Sequence, residues 1–364
     1  MTPRGPSRPV VTFRWDLDKT YLKTEFERFY RLVRLPFERA ADKAHVPGVP
    51  ELVRGLRRTA LARGEEPRVL FLTATPPQMA GVIREKLAHD GVEIDGIVFK
   101  DQLHLLVRGQ LRRIRDHLGY KLDALFESRL GGEARGVELL FGDDWESDPL
   151  VYSIYAEWLA GRLGPASLEV LLARLGVPED TREGLGERAG VAQKESGARV
   201  ERIYIHLERR TPLAGFRAYG PRLLPTFSPL QAAADLFARR RLDDAGLIEV
   251  ARAVAAGDGI GGSGLLNLLD DLVRRAALHP SWRARIALRL GRATVGRLER
   301  PGWRVRLRAL GRAPAPGSDD PPLSLESVVM RRDGGRVRQP PTSELAADDV
   351  SAEARRRAEP VAED

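Results

Sequence analysis

The residues with the clearest chemical potential are two aspartates that follow a short apolar run near the start of the chain. Asp16 and Asp18 come directly after the run Val-Val-Thr-Phe-Arg-Trp. A carboxylate can attack phosphorus and carry the phosphoryl group, while a neighbouring carboxyl group can protonate the leaving oxygen. Two aspartates in one turn are also common as solvated turn residues, so the pair alone does not decide between the two interpretations.

Further polar residues occur where later apolar runs end. Thr73 follows the run at residues 69–72, where its hydroxyl and the backbone amides after it can bind phosphate oxygens. Lys121 is a compact cation in a chain with few lysines, and it could neutralise a transferring phosphate. Each also has a plainer interpretation, the threonine as an ordinary strand end and the lysine as a solvated helix residue.

A third acidic group could hold a metal ion. Asp143, Asp144 and Asp148 follow the apolar run at residues 137–141. Clustered carboxylates of this kind suit Mg²⁺, which prefers a few carboxylates and several waters. Acidic residues are also common helix caps, so Asp144 or Asp148 could serve only that purpose. The chain has no cysteine, and its six histidines show no paired ligand spacing, so we predict neither a thiolate nor a histidine metal site.

The elements that must position these residues alternate along the chain. Apolar runs typical of buried strands alternate with helical patterns, which predicts an α/β fold with a parallel sheet covered by helices on both faces. The predicted strands are residues 10–15, 69–72, 97–99, 137–141 and 202–207. The predicted helices are residues 24–43, 51–63, 77–89, 111–125 and 150–175. Since ligands bind at the carboxyl ends of parallel strands, we expect the polar residues above to share one site.

The remaining segments are less regular. Residues 176–197 are polar and rich in glycine, which predicts a flexible excursion. Residues 229–310 return to a helical pattern that breaks at 257–264. The break contains a Gly-x-Gly-x-x-Gly string, but no predicted strand precedes it, which favours a linker over a dinucleotide site. From residue 314 onward the composition predicts a disordered tail.

The overall composition limits the classes of protein to which the chain can belong. Of its 364 residues, 43% are hydrophobic and 30% are charged, which is typical of a folded soluble protein. No apolar run reaches the ~18 residues that a membrane span needs, and no hydrophobic signal segment follows Met1, so we predict a cytoplasmic protein. The net charge of +8 comes from arginines scattered along the chain, a pattern that argues against a dedicated nucleic-acid function.

Taken together, the polar residues resemble the four-motif signature of the haloacid-dehalogenase (HAD) superfamily of phosphohydrolases. WDLDKTYL is similar to its Asp-x-Asp-x-Thr motif, FLTAT to its threonine motif, and FGDDWESDP to its terminal acidic motif. Lys121 stands where the superfamily has its lysine, and all four motifs occur in order. The resemblance implies a HAD-type Rossmann-like core, a Mg²⁺ cofactor and an aspartyl-phosphate intermediate.

A closer resemblance, over roughly residues 10–210, is to the phosphatidate phosphatase catalytic domain of the actin-patch-protein type. The shared features are VPGV at residues 46–49, DPLVY at 148–152 and RIYI at 202–205. The chain departs from that family at Lys19, where an aspartate is usual, and at residues 144–146, where a small polar stretch is usual. An insertion at about residues 159–198 also separates its last two strands.

The resemblance implies a role for each motif residue. Asp16 would attack phosphorus and ligate Mg²⁺, while Asp18 would act as acid and base and ligate Mg²⁺ through its backbone carbonyl. Asp143 would be the remaining ligand, and Thr73 and Lys121 would hold the phosphoryl oxygens. Three further residues would support these groups. Asp148, at the metal, or Asp144 would fix a metal-bound water or Lys121, and Thr20 would brace the Asp18 loop.

The function that we predict is a Mg²⁺-dependent phosphomonoester hydrolase with little or no cap, acting on a phosphorylated substrate that could be phosphatidate. The alternatives are a phosphatase for a soluble metabolite or a nucleic-acid end, and a non-catalytic phosphate-binding scaffold with the HAD fold. The presence of Asp16, Asp18 and Lys121 argues against the scaffold. The predicted division is a core at residues 1–210 with a helical insertion at about 159–198, a helical region at 211–310 and a tail at 311–364.

Two interpretations of the C-terminal helical region stay open. Its leucines form an apolar stripe, with arginines nearby: Leu265, Leu266, Leu268, Leu269 and Leu272, followed by Arg274, Arg275, Arg283 and Arg285. The stripe could pack against the core. It could instead bring the protein to an anionic membrane surface, where the arginines would contact lipid phosphates.

Overall fold

The computed structural model of the chain describes residues 8–22, 45–73, 75, 77–99, 115–130, 136–145, 147–193 and 198–293. The helix predicted at residues 24–43 and the tail predicted at 311–364 lie outside these ranges. All structural statements below refer to the described residues.

The described residues form a six-stranded sheet in which every pair of neighbours is parallel. The order across the sheet is β3-β2-β1-β4-β5-β6. The strands are β1 (Val10–Asp16), β2 (Glu66–Thr73), β3 (Gly96–Phe99), β4 (Gly136–Asp143), β5 (Arg199–His206) and β6 (Leu223–Thr226). The predicted α/β fold with a parallel, Rossmann-like sheet is therefore confirmed. The first five strands match the predicted ones to within a few residues.

Ten α-helices connect and cover the strands within the described residues. They are α1 (Val49–Ala62), α2 (Ala80–His89), α3 (Arg115–Leu130), α4 (Asp148–Leu159), α5 (Pro165–Arg174), α6 (Glu179–Gln193), α7 (Pro229–Ala238), α8 (Asp244–Asp258), α9 (Gly262–Arg274) and α10 (Pro280–Ala293). Two 3₁₀ helices span Pro77–Met79 and Leu213–Tyr219.

Helices cover both faces of the sheet because alternate residues of each strand enter different cores. In β4, Leu139 packs into one hydrophobic cluster and Leu140 into the other. The first cluster includes residues of α1, α2 and α7 to α10, and the second includes residues of α3 to α6. Successive side chains of a strand point to opposite faces, so the two clusters lie on opposite sides of the sheet.

Two predictions about single elements are wrong, and one strand was not predicted. The flexible excursion at residues 176–197 contains α6, whose Leu185 and Ala189 are buried. The single helix at 150–175 is two helices, separated near Gly161, which has a φ of 73°. The sequence reading also missed β6, a four-residue edge strand that contains Pro225.

The leucine stripe packs against the core, as one of its two interpretations predicts. Leu265, Leu269 and Leu272 are almost completely buried in the first cluster, and Leu266 and Leu268 are partly buried against it. The stripe is therefore not an exposed face that could enter a membrane. No helix within the described residues has the length and apolar character needed to cross a bilayer.

Elements on the two sides of the predicted domain boundary at residue 210 contact each other: β6 joins the same sheet as β1 to β5, and α8 packs closely against α1. How the chain divides into domains stays a prediction.

Candidate functional site

The sequence-predicted polar residues meet at the carboxyl end of the central strands. Asp16 is the last residue of β1, Thr73 the last of β2 and Asp143 the last of β4. β1 lies between β2 and β4, so the three strand ends are neighbours. Lys121 reaches the same place from α3 and Asp148 from the first turn of α4.

Three carboxylates and one ammonium form the buried centre of this site. One carboxylate oxygen from each of Asp16, Asp143 and Asp148 lies within 4.8 Å of the others. Nζ of Lys121 donates to Oδ1 of Asp16 at 3.1 Å and also to Oδ1 of Asp148. All four side chains are nearly inaccessible to solvent. Three negative charges against one positive charge within this group favour a divalent cation, so the aspartates could hold a metal ion.

Asp148 fits beside β4 because residue 142 is a glycine. A Cβ atom at Gly142 would overlap the carboxylate of Asp148 and lie 2.8 Å from Cε2 of Tyr152. Oδ2 of Asp148 accepts a hydrogen bond from the backbone N of Asp143 at 3.3 Å, which links the two acidic residues. Burial, and then the negative charges of Asp148 and Asp16, raise the pKa of Tyr152 well above its usual value. Tyr152 therefore stays neutral beside the carboxylates.

Asp18 and Thr73 form a second, more exposed part of the site. Oγ1 of Thr73 lies 3.0 Å from Oδ2 of Asp18, to which it can donate, and 2.8 Å from Oγ1 of Thr75. The backbone N of Thr75 donates to Oγ1 of Thr73 at 3.0 Å. Asp18 is half-buried, whereas both threonines are buried. A half-buried carboxyl group at the edge of the site is suited to exchanging protons with a bound ligand.

Backbone hydrogen bonds hold the turn that carries Asp18. The carbonyl of Leu17 accepts from the backbone N of Tyr21 at 3.2 Å and of Leu22 at 2.9 Å. Lys19 has a φ of 59°, so the chain reverses through a left-handed residue directly after Asp18. The hydroxyl of Thr20 is buried without a hydrogen-bond partner among the described residues, so its predicted role as a brace stays a prediction.

Asp144 makes contacts quite different from those of its neighbours. Its two carboxylate oxygens accept from the backbone N of Arg209 at 2.8 Å and of Thr211 at 2.9 Å. These bonds tie the loop after β5 to the end of β4. Asp148 rather than Asp144 groups with Asp16 and Asp143, so the two candidates for a place at the metal are distinguished by their contacts.

An aromatic side chain flanked by cations lies beside the acidic centre. The backbone N of Trp145 donates to Oδ1 of Asp143 at 2.6 Å, while 37% of the residue's surface is exposed. Nζ of Lys19 lies 3.0 Å from the centroid of the Trp145 ring, and Cζ of Arg209 lies 4.2 Å from it. Cation–π contacts of this kind hold both cations at the rim of the site.

Sequence reasoning singled out the residues at the centre but missed several that surround them. Thr75, Tyr152 and Arg209 were not assigned roles, and Trp145 was noted only as a departure from a family pattern. The second threonine of FLTAT was a signal for Thr75. Arg209 carried no such signal, because its place at the rim depends on the hydrogen bonds between its loop and Asp144.

Comparison of the chain with protein-family models, with curated proteins and with solved structures yields no match.

Proposed function

We propose that the chain is a Mg²⁺-dependent phosphomonoester hydrolase of the HAD type that works through an aspartyl-phosphate on Asp16. The observation that carries the proposal is the buried group of Asp16, Asp143 and Asp148 around Lys121 at the carboxyl ends of β1 and β4. The hydrogen-bonded pair of Asp18 and Thr73 beside it adds support, because phosphoryl transfer needs a proton donor and phosphate-binding groups close to the nucleophile.

The donor set fits Mg²⁺. The three carboxylates provide only oxygen ligands, which Mg²⁺ prefers to nitrogen or sulfur. Asp16 and Asp143 would bind the ion directly, and Asp148 would hold either the ion or one of its waters while it positions Lys121. The backbone carbonyl of Asp18 is the further ligand that the HAD resemblance implies. When bound, Mg²⁺ would neutralise the charge that a phosphate dianion brings to these carboxylates.

The side chains divide the reaction between them. The carboxylate of Asp16 attacks phosphorus, and Lys121 neutralises charge on the phosphoryl oxygens. Asp18 gives its proton to the leaving oxygen and then removes a proton from the water that hydrolyses the aspartyl-phosphate. The hydrogen bond from Thr73 orients the Asp18 carboxyl group between these steps.

Two substrate classes follow from different arguments. Phosphatidate rests on the resemblance of the core to the actin-patch-protein type, and it would require peripheral contact with a membrane. A soluble phosphomonoester, or the phosphorylated end of a nucleic acid, is favoured by the cationic rim of Lys19 and Arg209, which suits a second anionic group on the substrate. A phosphatase panel that includes phosphatidate micelles, sugar phosphates, nucleotides and phosphorylated oligonucleotides separates these classes.

The decisive experiment is a comparison of wild type, Asp16→Asn and Asp258→Asn. Asp258 is exposed at the end of α8, so its variant controls for the loss of a carboxylate alone. We expect Mg²⁺-dependent release of phosphate from wild type and from Asp258→Asn, and a loss on the order of 10⁴-fold or more in Asp16→Asn. Brief reaction with a ³²P-labelled substrate should leave a hydroxylamine-sensitive label on the two active proteins alone.

The opposite results are equally clear. Turnover in excess chelator would exclude the Mg²⁺ mechanism, and near-normal turnover in Asp16→Asn would exclude Asp16 as the nucleophile. Phosphate binding without turnover on any substrate of the panel would leave the non-catalytic scaffold as the function.

A further inference from the structure

A large cavity lies at the β6 edge of the sheet, away from the site described above. Its volume is about 1670 Å³, and its walls come from α4, β5, β6, the second 3₁₀ helix, α7 and the turn between α9 and α10. It extends from Arg199, the first residue of β5, to Pro225 of β6, which pairs with Ile205 near the other end of β5, where His206 pairs with Asp143 in the sheet. At about 3.3 Å per residue, the two ends of this eight-residue strand are roughly 23 Å apart.

Arginine dominates the lining of this cavity. Among the described residues, eight arginines line it against two carboxylates, those of Glu201 and Asp235. Arg199 and Arg217 are exposed, and Arg202 is buried at the base of the wall that β5 forms. Arginines therefore outnumber carboxylates in this lining, which gives the concave surface an excess of positive charge.

Carboxylates near the wall orient most of these arginines without neutralising them. Three carboxylates each pair with two arginines of the lining: Asp235 with Arg202 and Arg239, Glu157 with Arg162 and Arg222, and Asp271 with Arg274 and Arg275. Each of these groups therefore contains two guanidinium groups and one carboxylate. The side chains of Arg202, Arg222 and Arg275 are also mostly buried, which reduces the entropy that they would lose on binding a ligand.

We propose that this cavity binds a soluble ligand that carries two or more phosphate groups and is of nucleotide size or larger. Fixed guanidinium groups match phosphate geometry, and several of them around one concavity favour clustered phosphates over a single anion. The volume exceeds the ~300–1,000 Å³ of ordinary ligand pockets, which leaves room for a body attached to the phosphates. A membrane would require a flat or convex basic surface, whereas these arginines line a concavity.

The test measures binding of tripolyphosphate and of ATP to the full-length protein by isothermal titration calorimetry in excess EDTA. Chelation removes any divalent cation that could link the carboxylates of the candidate active site to an anionic ligand. The variant Arg199→Gln/Arg217→Gln removes two exposed charges from the cavity without opening a buried ion pair. We expect one ligand per chain, affinity that falls as salt rises, and at least about tenfold weaker binding in this variant.

The matched control is Arg84→Gln/Arg252→Gln. Both of its arginines are exposed and neither lines the cavity, so the total charge of the protein falls equally. Equal weakening in the two variants, or no measurable binding to wild type, would overturn the proposal. A third arm uses vesicles that contain phosphatidate: binding to vesicles without binding to soluble phosphates would also overturn it and would favour a lipid headgroup as the ligand.

Discussion

The strongest prediction about the centre of the site concerns the replacement of Lys121 by methionine. The substitution keeps the length of the side chain but removes the ammonium that lies 3.1 Å from Asp16 and contacts Asp148. The three neighbouring carboxylates then repel one another without this cation, in a position that water hardly reaches. We therefore expect the metal-free protein to lose stability and to become dependent on a divalent cation.

The size of the loss follows from the geometry. Two unit charges 3.1 Å apart attract by roughly 5 kcal/mol at an effective dielectric constant near 20. The cost of burying the ammonium cancels part of this attraction, and the carboxylates that lose this ion pair add a penalty. Removal of one member of a buried ion pair costs about 3–5 kcal/mol on balance, and this is the loss in unfolding free energy that we expect in EDTA.

Mg²⁺ should restore much of this loss. A cation that binds only the folded protein stabilises it by about 2.7 kcal/mol at a concentration one hundred times its Kd. The affinity of Lys121→Met for Mg²⁺ should exceed that of wild type, because Lys121 no longer competes for the same carboxylates. Urea denaturation of both proteins, in EDTA and in millimolar Mg²⁺, measures the two effects.

Lys86→Met is the matched control. Lys86 is also a buried lysine, and it pairs with Asp90 at 2.7 Å in a group that lacks the three carboxylates. Its replacement should destabilise the protein as well, but Mg²⁺ should not restore that loss. If Mg²⁺ stabilised both variants equally, or if Lys121→Met were as stable as wild type in EDTA, the electrostatic account of the site would be wrong.

Three other substitutions test separate parts of the structure. Gly142→Ala should displace Asp148, lower the unfolding free energy by about 1–3 kcal/mol and weaken Mg²⁺ binding as measured by calorimetry. An unchanged affinity for Mg²⁺ would contradict the close packing of Asp148 against residue 142. Lys19→Gln should raise KM about two- to fivefold for a substrate with a second anionic group and leave kcat unchanged. An equal rise in KM for a substrate without that group would rule out a role of Lys19 in specificity. Burial alone would raise the pKa of Asp235, but the charges of Arg202 and Arg239 outweigh burial and lower it. The ionised carboxylate therefore stabilises the fold fully above its ordinary pKa of about 3.9, and this stabilisation is lost as the pH falls below that value. Asp235→Asn should therefore be less stable at pH 7 and lose less stability than wild type between about pH 4 and pH 2; parallel denaturation curves for the two proteins would refute this.

The strands could be predicted because their composition leaves little choice. Residues 69–72 form a continuous apolar run, and residues 137–141 are apolar except for Glu138. Polar residues follow both runs, as expected for strands that are buried on both faces and end at a site. β6 could not be found in this way. Its four residues include Pro225, which has no amide hydrogen to donate, and a strand of this kind is recognisable only once a neighbour such as β5 is in place.

Residues 176–197 were predicted to be flexible, although they lie in an insertion predicted to be helical, and this error has a different reason. The sequence of α6 contains three glycines, which intrinsically disfavour a helix. Leu185 and Ala189 nevertheless pack into the second hydrophobic cluster, so tertiary packing overrides the local preference. The break before α5 did have a signal in Gly164-Pro165, because proline is favoured in the first turn of a helix.

The site shows where sequence reasoning reaches its limit. Asp144 and Asp148 are the same residue type in one short segment, and spacing alone left both as candidates for the metal. Their roles separate only through contacts with distant residues: Asp148 meets Lys121 from α3, while Asp144 binds the backbone of Arg209 after β5. The glycine at position 142 makes the first contact possible by removing the side chain that would occupy the space of Asp148. A motif therefore identifies which residue types could do the chemistry, and packing between separate segments decides which of them meet at the buried centre of the site.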